Sequence, residues 1–227
     1  MSSSELRYRA RQSLAGKWGN AILAALVAAV LGGLLAGSGF QINIDEEIQA
    51  SLPRLLQMYL VTAASVGGAL GVVQFILGGV IELGYARFLL KQHDGEDPQV
   101  NELFSQFDRF GAGFCQRLLR GIYVFLWTLL FIIPGIVASL KYAMTPFIMA
   151  ENPNMTASQA IDVSKELMEG HKGDLFILNL SFFGWGVLSA LTLGIGSLWL
   201  NPYINAAQAA FYRSIRGERV FIEEKTE

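Results

Sequence analysis

The chain has 227 residues, 52% of them hydrophobic and 16% charged, where a typical soluble domain carries about 25% charged residues. With 15 Phe, 4 Trp and 24 Gly, types favoured in transmembrane helices, this composition points to one integral membrane domain over 1–227. A single cysteine, Cys115, excludes an intramolecular disulfide, and one cysteine with two histidines excludes a standard structural zinc site. No metal or cofactor is expected. The net charge of −2 hides a strong spatial bias, and nucleic acid is not an expected partner.

The N-terminal stretch MSSSELRYRARQSLAGKWGN is basic and leads into an apolar run ending near Ala36-Gly37-Ser38. Small residues there also suit a cleaved signal peptide. A first span over about 19–38 is preferred, because the run is nearly the length of about 20 residues that a bilayer core requires and more such runs follow. An acidic loop, FQINIDEEIQASLPR, leads to a second span at about 60–90, long enough to tilt or to begin outside the membrane.

The next connector is HDGEDPQVNELFSQFDRFGAGF. Asp97-Pro98 reads as an N-cap and first helical residue, and Val100, Leu103, Phe104 and Phe107 follow at helical spacing. The expectation is a short amphipathic helix, lying on the inner membrane face or on the protein's own surface. Asp94, Glu96 and Asp97 miss the EF-hand spacing.

The apolar block 117–150 is too long for one crossing, since one helix of that length reaches roughly 50 Å. Ile133-Pro134-Gly135 is a turn signal, which divides it into spans at about 117–133 and 136–151. In the following connector, Thr156 and Gln159 have capping-box spacing. Ile161, Lys165 and Met168 share a face, and Gly170 reads as a helix stop. The last block, 173–214, divides at Leu193-Gly194-Ile195-Gly196. Pro202 then falls early in a helix beginning near Ser197, where its missing donor is tolerated.

The expected fold is therefore all-α: a polytopic membrane helix bundle of six spans, plus short cytoplasmic amphipathic helices. The hairpins cover about 19–90, 117–151 and 173–214. With both termini inside, Arg54 alone of the 17 Lys and Arg falls outside and Lys141 falls within a span. This distribution fits the positive-inside rule. The expected location is a bacterial cytoplasmic membrane, multi-pass, with both termini cytoplasmic.

A spacing recurs through these hairpins. Gly78, Gly135 and Gly196 each precede a tyrosine, Tyr85, Tyr142 and Tyr203, by the same interval. The stretches around Gly16, Gly121 and Gly170 each place a glycine among basic residues ahead of a span. Three hairpins repeated in one orientation would give the arrangement in which transporter sites lie between repeats.

The sequence also resembles a bacterial family of integral membrane proteins known as domain of unknown function, number 975. The matching elements begin with Glu5-Leu6-Arg7, Ala10, Leu14 and Trp18, then Leu103-Phe104 with Phe107. They continue with Trp127 through Ile136, Tyr142-Ala143-Met144 with Pro146, Ala150 to Pro153, and Met168 to Lys172. Leu180-Ser181-Phe182 with Trp185, Leu191 to Gly196, Pro202-Tyr203 and Phe211-Tyr212 complete them. The resemblance implies a multi-span membrane protein of bacterial type and supplies no activity or site.

Ionisable groups within a bilayer are costly and mark functional positions by default. Glu82, Lys141 and Asn201 lie within a turn of Tyr85, Tyr142 and Tyr203, and Asn205 follows one turn later. Convergence of these seven side chains would form a polar site for a small ligand, ion or lipid headgroup. The alternative is a Glu82–Lys141 ion pair, with the amides joining helices. No HExxH, GxSxG or Walker pattern is present, so an enzyme is not expected and a lipid-acting one ranks last. Binding or transport ranks above a non-catalytic scaffold regulating a partner. Expected partners are the lipid bilayer and either a membrane protein or a second copy of the chain. The pairs Gly33/Gly37 and Gly67/Gly71 match the GxxxG packing pattern.

Overall fold

A computed structural model of the chain describes residues 2–32, 74, 76–192 and 195–226, and among these every regular element is a helix. The acidic loop, both GxxxG pairs and much of the first two expected spans lie outside the described residues. The helices are α1 (Ser3–Leu14), α2 (Trp18–Gly32), α3 (76–93), α4 (Phe110–Leu130) and α5 (Ile132–Lys141). They continue as α6 (Thr145–Glu151), α7 (Ala157–Leu167), α8 (Lys172–Leu180), α9 (Phe183–Leu191) and α10 (Ser197–Thr226). One described stretch, Ile133–Glu151, is long and apolar enough alone to cross a membrane, with a mean hydropathy of 1.3.

Helix α1 starts where Ser2 Oγ accepts the Glu5 amide, as an N-cap serine should. Its apolar positions Leu6, Ala10 and Leu14 recur every fourth residue and are fully buried against α10. Gly16, at φ +76°, then turns the chain by 102° into α2. That left-handed backbone is one that only glycine adopts cheaply. Helix α7 repeats the device. Thr156 and Gln159 form both halves of a capping box, Ala160, Ser164 and Met168 are buried, and Gly170 turns at φ +81° into α8. Gly121 is different. It lies inside α4, so the third glycine set beside Gly16 and Gly170 in the sequence makes no turn.

The hairpin signals are correct, and the break is displaced. The chain turns at Phe131, whose extended backbone separates α4 from α5, and Pro134 falls in the first turn of α5. Proline is tolerated there because those amides have no intrahelical acceptor. The arms touch where a Cβ on Gly135 would lie 2.2 Å from Thr128 Oγ1. In the next hairpin, a Cβ on Gly196 would lie 3.0 Å from Ser189 Cα. Pro202 lies beyond the first turn of α10, inside the helix, so the Leu198 carbonyl forgoes its usual donor. Asn205 Nδ2 donates to the neighbouring Asn201 carbonyl at 2.8 Å.

The connector after α3 is two 3-10 turns, Val100–Phe104 and Phe107–Arg109, in place of the expected amphipathic α-helix, and Gln99, in place of Asp97, holds the N-cap position of the first without a side-chain cap bond. Tertiary contact overrides the helical pattern. Leu103 is fully buried, and its carbonyl would lie 2.0 Å from a Cβ on Gly84. Glu102 fastens the turn to α3 through Arg87 at 2.9 Å and Lys91 at 3.1 Å. The core gathers around α6, whose residues Thr145 through Ala150 are all buried. Large apolar side chains at the tips of the two hairpins remain exposed: Leu129, Phe131 and Ile133 in one, Leu191 and Ile195 in the other.

Candidate functional site

The site follows from one crossing. A Cβ on Gly79 of α3 would lie 2.1 Å from the Gly113 carbonyl of α4, so the two backbones touch. Gly113, Gln116 and Arg120 follow at i, i+3 and i+7 on one face of α4. That face meets Glu82, one turn after Gly79 on α3. Arg120 Nη2 donates to Glu82 Oε1 at 2.6 Å, and Gln116 Nε2 donates to Oε2 at 3.3 Å. Gln116 is fully buried, and its carbonyl oxygen has no hydrogen-bond partner.

Beside this carboxylate lies a cavity of about 230 Å³. Its polar lining is Glu82, Tyr85, Arg120, Asn205 and Gln208, and its apolar wall is Ala86, Leu89, Ala143, Pro146 and Phe147. Tyr85 is 4% exposed. Its hydroxyl faces Asn205 without completing a hydrogen bond. Gln208 Nε2 donates to Asn179 Oδ1 of α8 at 3.4 Å. An anionic carboxylate, a guanidinium, a phenol and two amides thus surround a space of small-molecule size. No serine, cysteine or histidine joins them in that lining, so the arrangement offers hydrogen bonds and charge and lacks a nucleophile–base pair.

Glu82, Tyr85 and Asn205 therefore come together, whereas the other four expected residues do not join them. Lys141 ends α5, where its carbonyl accepts Ser164 Oγ at 2.8 Å. The Glu82–Lys141 pair weighed from the sequence is replaced by Glu82–Arg120, because the glycine crossing brings α4 directly against α3. Tyr142 packs with Tyr123 at 5.9 Å and under Lys165 at 6.0 Å. Tyr203 lies against Phe182 and Arg11. Asn201 remains beside Asn205 through its carbonyl. Arg120 and Gln116 were not singled out as site residues. Their signal was the spacing from Gly113, which marks the face of α4 that meets a neighbour.

A second polar cluster lies further along α10, about its middle. Glu151 accepts from Arg213, Arg216 and, at 2.6 Å, Tyr212, while Arg213 also reaches Asp94. His93 lies nearby, and its Nδ1 has no hydrogen-bond partner. Desolvation, with help from Arg213 and Arg9, lowers its pKa below the ordinary 6.5 despite the opposing charge of Asp94. On α7, the Asp162 carboxylate accepts from Lys165 at 2.7 Å and raises that amine's pKa.

Comparison with curated proteins and with solved structures gives no match. The family model described as "Protein of unknown function (DUF975)" matches residues 1–139 and 129–219. These two segments cover nearly all of the chain, which therefore belongs to the DUF975 family.

Proposed function

We propose that the chain is a bacterial inner-membrane protein of six spans, arranged as three repeated hairpins with both termini cytoplasmic. In this reading it is a non-enzymatic protein that binds or transports a small polar ligand or a lipid headgroup. The observation that carries the binding site is the cavity where Glu82, Tyr85, Arg120, Asn205 and Gln208 meet. Polar groups gathered in one mostly apolar concavity are the usual form of a small-ligand site.

Membrane placement is supported by the apolar hairpin tips. Phe131 is 70% exposed, Ile133 75% and Leu191 77%. Contiguous exposed apolar surface of this kind marks a membrane or protein interface. Some backbone donors at the turns are also satisfied within the chain, which a lipid environment favours. Phe131 N–H donates to the Trp127 carbonyl at 3.2 Å, and Gly196 N–H donates to Thr192 Oγ1 at 3.0 Å. The matched caps and turning glycines before α2 and α8 favour repeated units.

Native mass spectrometry of the protein released from lipid tests the binding reading. A bound mass retained by the wild type and lost in Glu82→Gln and Asn205→Leu is the expected result. A second reading, a scaffold whose polar groups only join helices, is favoured by the closed Glu82–Arg120 pair. It requires that wild type and variants release no ligand and that a membrane partner co-purifies. That outcome would replace the binding reading.

A further inference from the structure

A separate groove of about 370 Å³ runs between the start of α2 and the α9–α10 hairpin. Three of the four tryptophans in the chain, Trp18, Trp185 and Trp199, line it together with Leu188 and Leu200. The Thr192 hydroxyl at its wall is already used. It donates to the Ser189 carbonyl at 2.8 Å and accepts the Gly196 amide at 3.0 Å, so it presents no free donor to the groove.

Arg11 also lines this groove. Its Nε donates to Tyr203 Oη at 3.1 Å, and its guanidinium carbon lies 5.6 Å from the centre of that ring. Tyr203 is itself fixed, donating to the Arg7 carbonyl at 3.3 Å and meeting Phe182 edge-on at 5.1 Å. The guanidinium is therefore held in place, and no carboxylate pairs with it among the described residues. A largely apolar, tryptophan-lined groove that also carries a positioned cation is complementary to an acyl chain with an anionic headgroup. Indoles and arginines are also the side chains that settle at the boundary between hydrocarbon and headgroups.

We propose that this groove holds one anionic phospholipid, its phosphate on Arg11 and one acyl chain among Trp18, Trp185 and Trp199. The proposal rests on the membrane placement given above and is independent of the cavity at Glu82. It assigns Tyr203 the task of orienting Arg11, in place of a share in that cavity.

The test is quenching of tryptophan fluorescence by acyl-brominated lipids in vesicles, with Trp127→Phe removing the indole outside the groove. Brominated phosphatidylglycerol is compared with brominated phosphatidylcholine at equal mole fraction. The expected result is an about fivefold preference for phosphatidylglycerol, the size that one basic side chain near an anionic lipid gives. Arg11→Gln should abolish the preference. Leu200→Phe, which narrows the groove and leaves Arg11 in place, should weaken it. Inorganic phosphate should leave the quenching unchanged. Equal quenching by both lipids, a preference that survives both substitutions, or displacement by phosphate would each overturn the lipid assignment. Absence of quenching by either lipid would instead sink the membrane placement on which it rests.

Discussion

Glu82 accepts from Arg120 and Gln116, and both charged side chains of the pair are mostly shielded, at 12% and 25% exposure. Breaking such a pair leaves a poorly solvated charge without its partner. Glu82→Gln is expected to lower stability by roughly 2 kcal/mol, discounted from the fully buried case because solvent still reaches Arg120. A double-mutant cycle with Arg120→Gln, read by thermal melting in detergent, should show the two substitutions to be strongly non-additive. Simple additivity would mean that the pair contributes nothing. His93 yields a prediction of different form. Its folded pKa lies below the ordinary 6.5, so the unfolded chain binds the extra proton first. The stability it contributes is present above pH 6.5 and is lost as pH falls through the lowered folded value. Melting temperature should fall between pH 7.5 and 5.5, and His93→Asn should flatten that fall. An unchanged slope in the variant would assign the effect to other groups. The sequence picked out Glu82, Tyr85 and Asn205 because a polar residue in an apolar run is conspicuous. It missed Arg120 because an arginine near a span's inner end is normally read as solvated, and only the approach of α3 makes it a partner.

At the scale of elements, some caps and turns were legible. Thr156 and Gln159, and Gly170, need only their own neighbours, and the structure uses each as the spacing predicts, whereas the cap expected at Asp97 gives way to Gln99 at the start of a 3-10 turn. Thr156→Ala should cost about 1 kcal/mol, the usual loss on removing an N-cap hydroxyl, seen as faster amide exchange in α7 with the other helices unchanged. Uniformly faster exchange across the protein would show that this cap does not act locally. Elements that depend on tertiary contact were less legible. Val100 to Phe107 carry a helical pattern, yet the pressure of Leu103 on Gly84 holds them as 3-10 turns. The α3–α4 crossing offers the sharpest test at this scale. A Cβ on Gly113 would lie 2.8 Å from the Val80 backbone, and backbone atoms cannot yield as a flexible side chain does. Gly113→Ala should destabilise by about 1–3 kcal/mol, as overpacking does, and should also weaken the Glu82–Arg120 contact. Gly121→Ala, where a Cβ meets nothing within 4 Å, should be neutral or slightly stabilising, since alanine is the better helix former. Equal effects at the two glycines would refute the crossing.

For the whole molecule, the all-helical class was legible from hydropathy and turn signals, and family membership agrees with the residues that suggested it. The common meeting point of three tyrosines was not legible. Equal spacing in sequence fixes a residue's place along its own helix and leaves open which neighbour it faces. Tyr85, Tyr142 and Tyr203 consequently occupy three different environments. The central proposal is a membrane-embedded bundle with a polar cavity between its hairpins, reachable from the cytoplasmic side. Cysteine labelling tests both parts together. In a Cys115→Ser background, Asn205→Cys and Ile133→Cys are treated with a membrane-impermeant maleimide in inside-out and right-side-out vesicles. The account predicts labelling of Asn205→Cys in inside-out vesicles alone and of Ile133→Cys, at an outer turn, in right-side-out vesicles alone. Labelling of Ile133→Cys from the inner face, or access to Asn205→Cys only from the outer face, would contradict it.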